Sequence, residues 1–542
     1  MHWQPVVFQI ISMKNALKSL LGNIPYSADL YDSIRKARPH TRYNLSQLEK
    51  HLPIAIEQAR PFIEKAKPGK KLLLFATLHY WVEQAAIIGL ALRGKGYDVT
   101  IAYLPYHDWR KDINKFDLRR QDLYTRRVLT PLKGLVHYTS LLDVVPAPVL
   151  PATLAEDISL VSNYDAQYTL QVEDVDTNSS LYKLRLQRND FAARAALTLI
   201  QDIKPDTVLI PNGTITELGA VYRMARHMDI RTVTYEFNDQ REQVWIAQDD
   251  EVMRQNTDLL WKSRGGNKLT KPERALIEEL ESARMGGKSF GKSVRKWQDV
   301  ETKGGEQLRK ELGLDKKRPI VLLTTNVLGD SLTLGRNVFA QSMAEWIEKT
   351  VQFFASKPEA RAERSRCVQL VIRIHPGERL THGASMSDVV KGALANIPEN
   401  IHVIGPLEKV NTYDLMEIAD LGLVYTTTTG LEMCMNGIPV IACGETHYRK
   451  RGFTLDPMSL DEYYAMIASA LNSKRILSKT QIDTAWEYAY RFFFEYPLVF
   501  PWRLMHFWKD MGISPMSRVL SKEGQKEFGR TFDYLAGKKI KW

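Results

Sequence analysis

VQLVIRIHPGE at residues 368–378 and LGLVYTTTTGLEMCMNGIPVIACGE at 421–445 decide the fold of this 542-residue chain. Each begins with a short apolar run that turns abruptly polar, the pattern of a strand buried on both faces of a parallel sheet. The second continues through a helix-like stretch into another apolar run, a strand–helix–strand unit. Outward from these, PIVLLTTNV (319–327), the helical AEWIEKTVQFFA (344–355), NIHVIGP (400–406) and YDLMEIA (413–419) keep up the alternation. The same rhythm opens earlier, at KKLLLFATLHYW (70–81), YDVTIAYL (97–104), DTVLIPNG (206–213) and RTVTYEF (231–237), with a less regular insertion near 110–190.

The predicted fold class is therefore α/β, with two Rossmann-like, doubly wound parallel-sheet domains. A helical extension over 1–68 precedes the first domain at 69–264, and a basic helical linker at 265–318 leads to the second at 319–475. Aromatic-rich helices at 476–542 are expected to pack across both domains. Two such domains place a ligand cleft between their strand C-termini.

Composition narrows the function classes. With 44% hydrophobic and 25% charged residues the chain is not a disordered one. Three cysteines, Cys367, Cys434 and Cys443, lack CxxC spacing, which excludes a disulfide scaffold and a cysteine zinc site. The 74 Lys and Arg exceed the 63 Asp and Glu by 11, so an anionic partner is expected. The apolar run Val6–Met13 is too short to span a bilayer; Trp3, Phe8, Ile11, Leu17 and Leu21 are spaced for one helical face, expected to pack on the protein, with contact to a membrane surface as the alternative.

The chemistry-bearing residues cluster where strands of the second domain end. One strand closes on Arg373, His375 and Pro376. The next closes on Thr426, Thr427, Thr428, Thr429 and Gly430, at the start of a helix whose first turn carries Glu432. Hydroxyls, helix-terminal amides and an imidazole gathered at two successive strand ends suit a phosphate, and a carboxylate beside them suits a ribose diol. Taken singly, each is an ordinary cap or strand end.

IRIHPGE, followed by IGP-x6-YDLMEIADLGLVYTTTTGLEMCMNGIPVIACGETHYRKRGFTLDP, resembles the capsule polysaccharide biosynthesis family, which includes Kdo transferases. More loosely it is similar to GT-B glycosyltransferases in general. The resemblance is strongest over 320–500. It continues at IPNGTITELGAVYRMARHMDIRTVTYEFND (210–239) and at TTNVLGDS (324–331), which is similar to the family's strand-to-loop segment. It implies that His375 and Pro376, with Thr428 and Thr429, contact the donor phosphate, and that Glu432 contacts the nucleotide's ribose or base. Asn212, Gly213 and Glu236 would line the acceptor side, with Glu236 as general base. Where the family often has Glu-Arg-Gly, this chain reads Glu236-Phe237-Asn238-Asp239, which makes Asp239 a rival base.

Two motifs are set aside. Residues 286–293 spell G-x4-GKS, but a helix precedes them and charged residues follow, so the strand-to-helix context of a nucleoside triphosphate loop is missing. Asp174-Val175-Asp176 matches a metal-binding DxD but lies in a polar stretch expected to be a solvated loop.

The expected activity is that of a cytoplasmic, metal-independent glycosyltransferase moving a sugar, with Kdo from a CMP-sugar the family's example, onto a polysaccharide or lipid-linked acceptor. The nucleotide sugar is a substrate and no cofactor is expected. Partners are the donor, the acceptor and the anionic inner face of the membrane; no nucleic-acid motif is present. A sugar-nucleotide 2-epimerase of the same fold and a non-catalytic basic membrane- or nucleic-acid-binding protein are the alternatives.

Overall fold

The structure is a computed structural model that describes residues 17–35, 43–237, 242–286, 300–356, 368–472, 476–503 and 506–542. It contains two sheets. The first has seven strands in the order β12-β6-β5-β4-β1-β2-β3, the second five in the order β11-β10-β7-β8-β9. The first-sheet strands are β1 (Lys71–Thr77), β2 (Asp98–Leu104), β3 (His137–Ser140), β4 (Thr207–Pro211), β5 (Arg231–Phe237), β6 (Gln243–Gln248) and β12 (Leu498–Val499). The second sheet holds β7 (Ile320–Thr324), β8 (Gln369–Arg373), β9 (Ile401–Ile404), β10 (Leu421–Val424) and β11 (Val440–Ala442). Five helices position the site: α1 (Ala152–Leu170), α2 (Lys271–Met285), α3 (Met343–Ala355), α4 (Thr429–Met435) and α5 (Lys479–Tyr490).

Every pairing in the second sheet is parallel. Its strands β7, β8, β10 and β11 are buried throughout because both faces carry helices, while the edge strand β9 buries only its ends. Along β7, Ile320 and Leu322 enter one core while Val321 and Leu323 enter the other. At roughly 1.5–3 kcal/mol for each fully buried aliphatic side chain, this alternation fixes the register, since a one-residue slip would swap the faces.

The first sheet departs from a purely parallel one. Strands β1 to β5 are parallel, but β6 runs antiparallel to β5 and β12 antiparallel to β6. The tail expected to be helical thus contributes an edge strand, and the insertion expected to be irregular contributes α1, further helices and the edge strand β3. The segment read as a linker is likewise no spacer. Thr270 closes a capping box on Glu273, and α2 buries Ile277, Leu280, Glu281 and Arg284 along one face against the second domain.

Backbone caps tie the two domains together. Glu173, just after α1, accepts from the amides of Met343 and Ala344 at the start of α3 at 2.9 and 2.7 Å. Gln171 Oε1 accepts from the amides of His382 and Gly383, and Arg336 donates to the Met253 carbonyl at 2.6 Å. Asp174 and Asp176 lie exposed in the loop that follows, as a solvated loop requires, and Asp176 Oδ1 caps the Asn178 amide.

Candidate functional site

Strand polarity sets the site. The C-terminal ends of β7, β8 and β10 converge on one pocket, walled by Arg373, His375, Pro376, Thr427, Thr428, Thr429 and Glu432 from the residues expected to bind a donor. Two of that set stand behind it. Thr426 donates its amide to Asn326 Oδ1, and Gly430 is packed so that a Cβ would come 2.4 Å from the Tyr448 hydroxyl.

Arg373 is 3% exposed. Its guanidinium donates to the carbonyls of Gly405 (2.6 Å) and Val410 (3.2 Å), and among the described residues it has no carboxylate within ion-pair distance. Its Nε is buried without a partner. Burial lowers its pKa to about 10 despite the opposing pull of Glu408. A buried cation lacking a counter-charge is costly, and an anion in the pocket offsets that cost. Its register partner Thr324, at the end of β7, holds a second orphan: Oγ1 is buried and unbonded, and the residue lines the same pocket.

His375 caps the short 3-10 turn Pro376–Leu380, its Nδ1 accepting from the Gly377 amide at 3.0 Å. In the neutral ring that arrangement puts the proton on Nε2, so the imidazole carries a donor. Its amide donates to Thr325 Oγ1 at 3.0 Å, which locks the loop after β8 to the loop after β7.

The threonine loop differs from the expected amide cradle. At the start of α4, a seven-residue helix, the amides of Gly430 and Leu431 already bond to the carbonyls of Thr427 and Thr428. Thr427 and Thr429 share a hydroxyl–hydroxyl bond of 3.1 Å, whereas Thr428 sits at the N-cap with no side-chain capping bond. The loop's hydroxyls, with the amides that come before Gly430, are what it offers an anion.

Glu432 reaches the pocket with both oxygens engaged, Oε1 by Arg284 Nη1 at 2.7 Å and Oε2 by the Tyr413 hydroxyl at 3.2 Å. Arg284 comes from the end of α2 and also stacks over Phe493 at 4.2 Å. The sequence reading missed it. The signal was present, since 277, 280, 281 and 284 form one helix face and a buried arginine on such a face needs an anion.

The acceptor-side residues lie at the C-terminal ends of β4 and β5, and none of them lines the donor pocket. Asn212 Nδ2 donates to Glu236 Oε2 at 3.2 Å, and the Phe237 amide donates to Oε1 at 3.0 Å. Burial raises the Glu236 pKa above the ordinary carboxylate value, opposed by these two bonds. Asn212 and Gly213 have φ of 58° and 82°, and a Cβ at 213 would approach Thr234 Cγ2 to 2.5 Å. Asp239 lies outside the described residues, as do Cys367, Lys292 and Ser293 of the GKS motif, and Trp3, Phe8 and Ile11.

Asp330 is a further carboxylate that the sequence reading did not single out. It follows Gly329, whose φ is 66° and whose Cβ would clash with the Gln167 carbonyl of α1. Asp330 Oδ1 accepts from the Leu332 amide at 2.8 Å, and burial raises its pKa. Burial raises the pKa of Tyr168, on α1, and the negative charges of Asp330 and Glu236 add to that shift. Cys434 and Cys443 are buried, and burial pushes both thiols up, so they are inert as nucleophiles.

Two α/β sheets with a polar pocket at the strand C-termini define an architecture of GT-B type. Residues 284–486, from Arg284 to Trp486, match the model of a family described as capsule polysaccharide biosynthesis protein. This is the family that the strand-end motifs resemble. No curated protein matches the chain. Among solved structures it is similar to Thermosulfurimonas dismutans KpsC, beta Kdo 2,4 transferase, with 17% identity, TM-score 0.33, and 52% of this chain and 79% of that chain covered. The beta Kdo 2,7 transferase of the same KpsC gives 13% identity, TM-score 0.32, and 59% and 90% covered. The UDP-GlcNAc 2-epimerase from Neisseria meningitidis gives 12% identity, TM-score 0.25, and 77% and 94% covered. Likenesses this distant carry nothing about chemistry.

Proposed function

We propose that the protein is a glycosyltransferase of capsule or related surface-polysaccharide synthesis, taking a sugar from a nucleotide donor to a polysaccharide or lipid-linked acceptor. One observation carries the reading: two residues that line the pocket from adjacent strand ends, Arg373 and Thr324, each hold a buried polar atom without a partner, Nε and Oγ1. A donor phosphate supplies the missing acceptor and counter-charge. Arg373, His375 and Thr428 stabilise the leaving phosphate as negative charge develops on it, without a metal. Glu236, half-buried at the end of β5, takes the proton of the acceptor hydroxyl as the new glycosidic bond forms.

Kdo from a CMP-sugar is the donor that the family resemblance suggests. A cytoplasmic location at the inner face of the membrane is proposed on the exposed apolar side chains Leu17, Leu20, Ile24, Leu30 and Ile34, together with the basic excess. Among the described residues no helix is long and apolar enough to cross a membrane. Incubation with CMP-Kdo and with UDP-sugars, each with and without a glycan acceptor, tests the reading. Acceptor-dependent nucleotide release supports it; acceptor-independent 2-epimerisation of a UDP-sugar replaces it with the epimerase.

A further inference from the structure

The basic excess has three dense stretches, and they meet different fates. Residues 287–299 lie outside the described residues. In His447–Arg451 the two arginines are spent internally, Arg449 on the carbonyls of Ala442 and Pro457 and Arg451 on Asp258, which leaves Lys450 as a single exposed cation. The third, Lys538-Lys539-Ile540-Lys541, walls a concavity of about 560 Å³ on the first domain, and the donor reading makes no use of it.

This groove lies at the opposite end of the first sheet from Asn212 and Glu236. Lys95 stands just before β2 begins, and Gly537 packs against Thr207, where β4 begins. Five cations line it, Lys95, Arg530, Lys538, Lys539 and Lys541, against one carboxylate, Asp533. Asp533 is already shared, by Lys95 at 3.3 Å and Lys538 at 2.9 Å. Among the described residues neither Lys539 nor Lys541 has an ion-pair partner, and both are exposed. Clustered unpaired cations in a concave wall focus the field and hold an anion more strongly than scattered ones do.

Shape selects the kind of anion. The Lys95 side chain is only 12% exposed, at the floor, where a flat bilayer cannot reach it but a flexible chain can. No large apolar side chain is exposed among residues 514–542, so the rim has nothing to insert into lipid. We infer that this groove binds an acidic polymer, a chain carrying carboxylates at short repeat such as an acidic glycan, at a site separate from the donor pocket. The choice of a glycan among acidic polymers rests on the proposed glycosyltransferase activity; the groove itself does not.

The test is fluorescence anisotropy of labelled oligosialic acid with the full chain, at low salt and at about 0.15 M, where screening shortens the reach of charge to roughly 8 Å. Binding that weakens with salt, and at least tenfold in K539E/K541E, is the expected result. Thermal unfolding and nucleotide titration should stay unchanged in that variant, and the milder K539Q/K541Q should show the same direction. Neutral dextran should not bind. Equal affinity in wild type and variants overturns the inference. So does vesicle binding to phosphatidylglycerol that depends on Lys539 and Lys541 while oligosialic acid fails to bind. Loss of nucleotide binding with the groove intact would count against the donor site alone.

Discussion

Thr324 and Arg373 are register partners on adjacent parallel strands that line the same pocket, and each side chain holds a buried polar atom with no partner, Oγ1 and Nε. Neither atom helps the folded protein by itself. Replacing Thr324 with the near-isosteric Val should therefore leave the apoprotein as stable or up to about 1–2 kcal/mol more so, while nucleotide affinity falls several-fold. Denaturant unfolding and nucleotide titration of T324V check the opposed signs.

His375 offers a donor without being needed for the sheet. His375→Ala should weaken nucleotide binding by about 10- to 100-fold, the worth of a hydrogen bond of roughly 1.5–3 kcal/mol to a charged group. Thermal stability should change little, because the cap lost is that of a short surface turn.

Arg284 neutralises Glu432 inside the second domain. Arg284→Met should cost about 3–5 kcal/mol, since it leaves a buried carboxylate uncompensated, and adding Glu432→Gln should recover much of the loss. Glu281, on the same face of α2, is raised to about 7 by burial and by the charge of Glu432. The folded protein thus holds a proton between the ordinary value near 4.5 and about 7 that the unfolded chain has released, so stability falls as pH rises through this window. Glu281→Gln should flatten that slope, whose ceiling is roughly 3 kcal/mol.

Glu236 must be ionised to act as a base. Its pKa is raised, so activity should climb with pH along a limb displaced above the ordinary carboxylate value. Glu236→Gln should remove the limb and nearly abolish turnover with nucleotide affinity intact. Normal turnover in that variant, with loss in Asp330→Asn or Asp239→Asn, would move the role.

Gly430 has no room for a side chain: a Cβ would meet the Tyr448 hydroxyl at 2.4 Å and Val424 Cγ2 at 2.8 Å. Tyr448 in turn holds the Thr427 carbonyl at 2.6 Å. Gly430→Ala should destabilise by about 1–3 kcal/mol and loosen nucleotide binding together, because the clash moves the threonine loop.

The strand ends were legible because burial on both faces writes a continuous apolar run, and Arg373, His375 and the threonines follow such runs directly. Asp330 was not, because its place is set by a contact made in space; for Arg284 the helix face was readable, but its partner Glu432 was not. Arg284 arrives from a helix read as a linker, and Asp330 follows a glycine packed against α1 of the other domain. Antiparallel β12 escaped similarly, since it lies far in sequence from its partner β6 and the two meet only once the sheet exists. The bonds from the Gly430 and Leu431 amides to the Thr427 and Thr428 carbonyls follow from a 3-10-like helix start, which no sequence pattern displays.

The account rests most directly on where a nucleotide binds, and isothermal titration of CMP, UMP and ATP into wild type, H375A, T429A and K292A measures it. A pyrimidine nucleotide should bind wild type and K292A alike and lose affinity in H375A and T429A. Binding of ATP alone, abolished in K292A and untouched in H375A, would contradict the donor site at the ends of β7, β8 and β10.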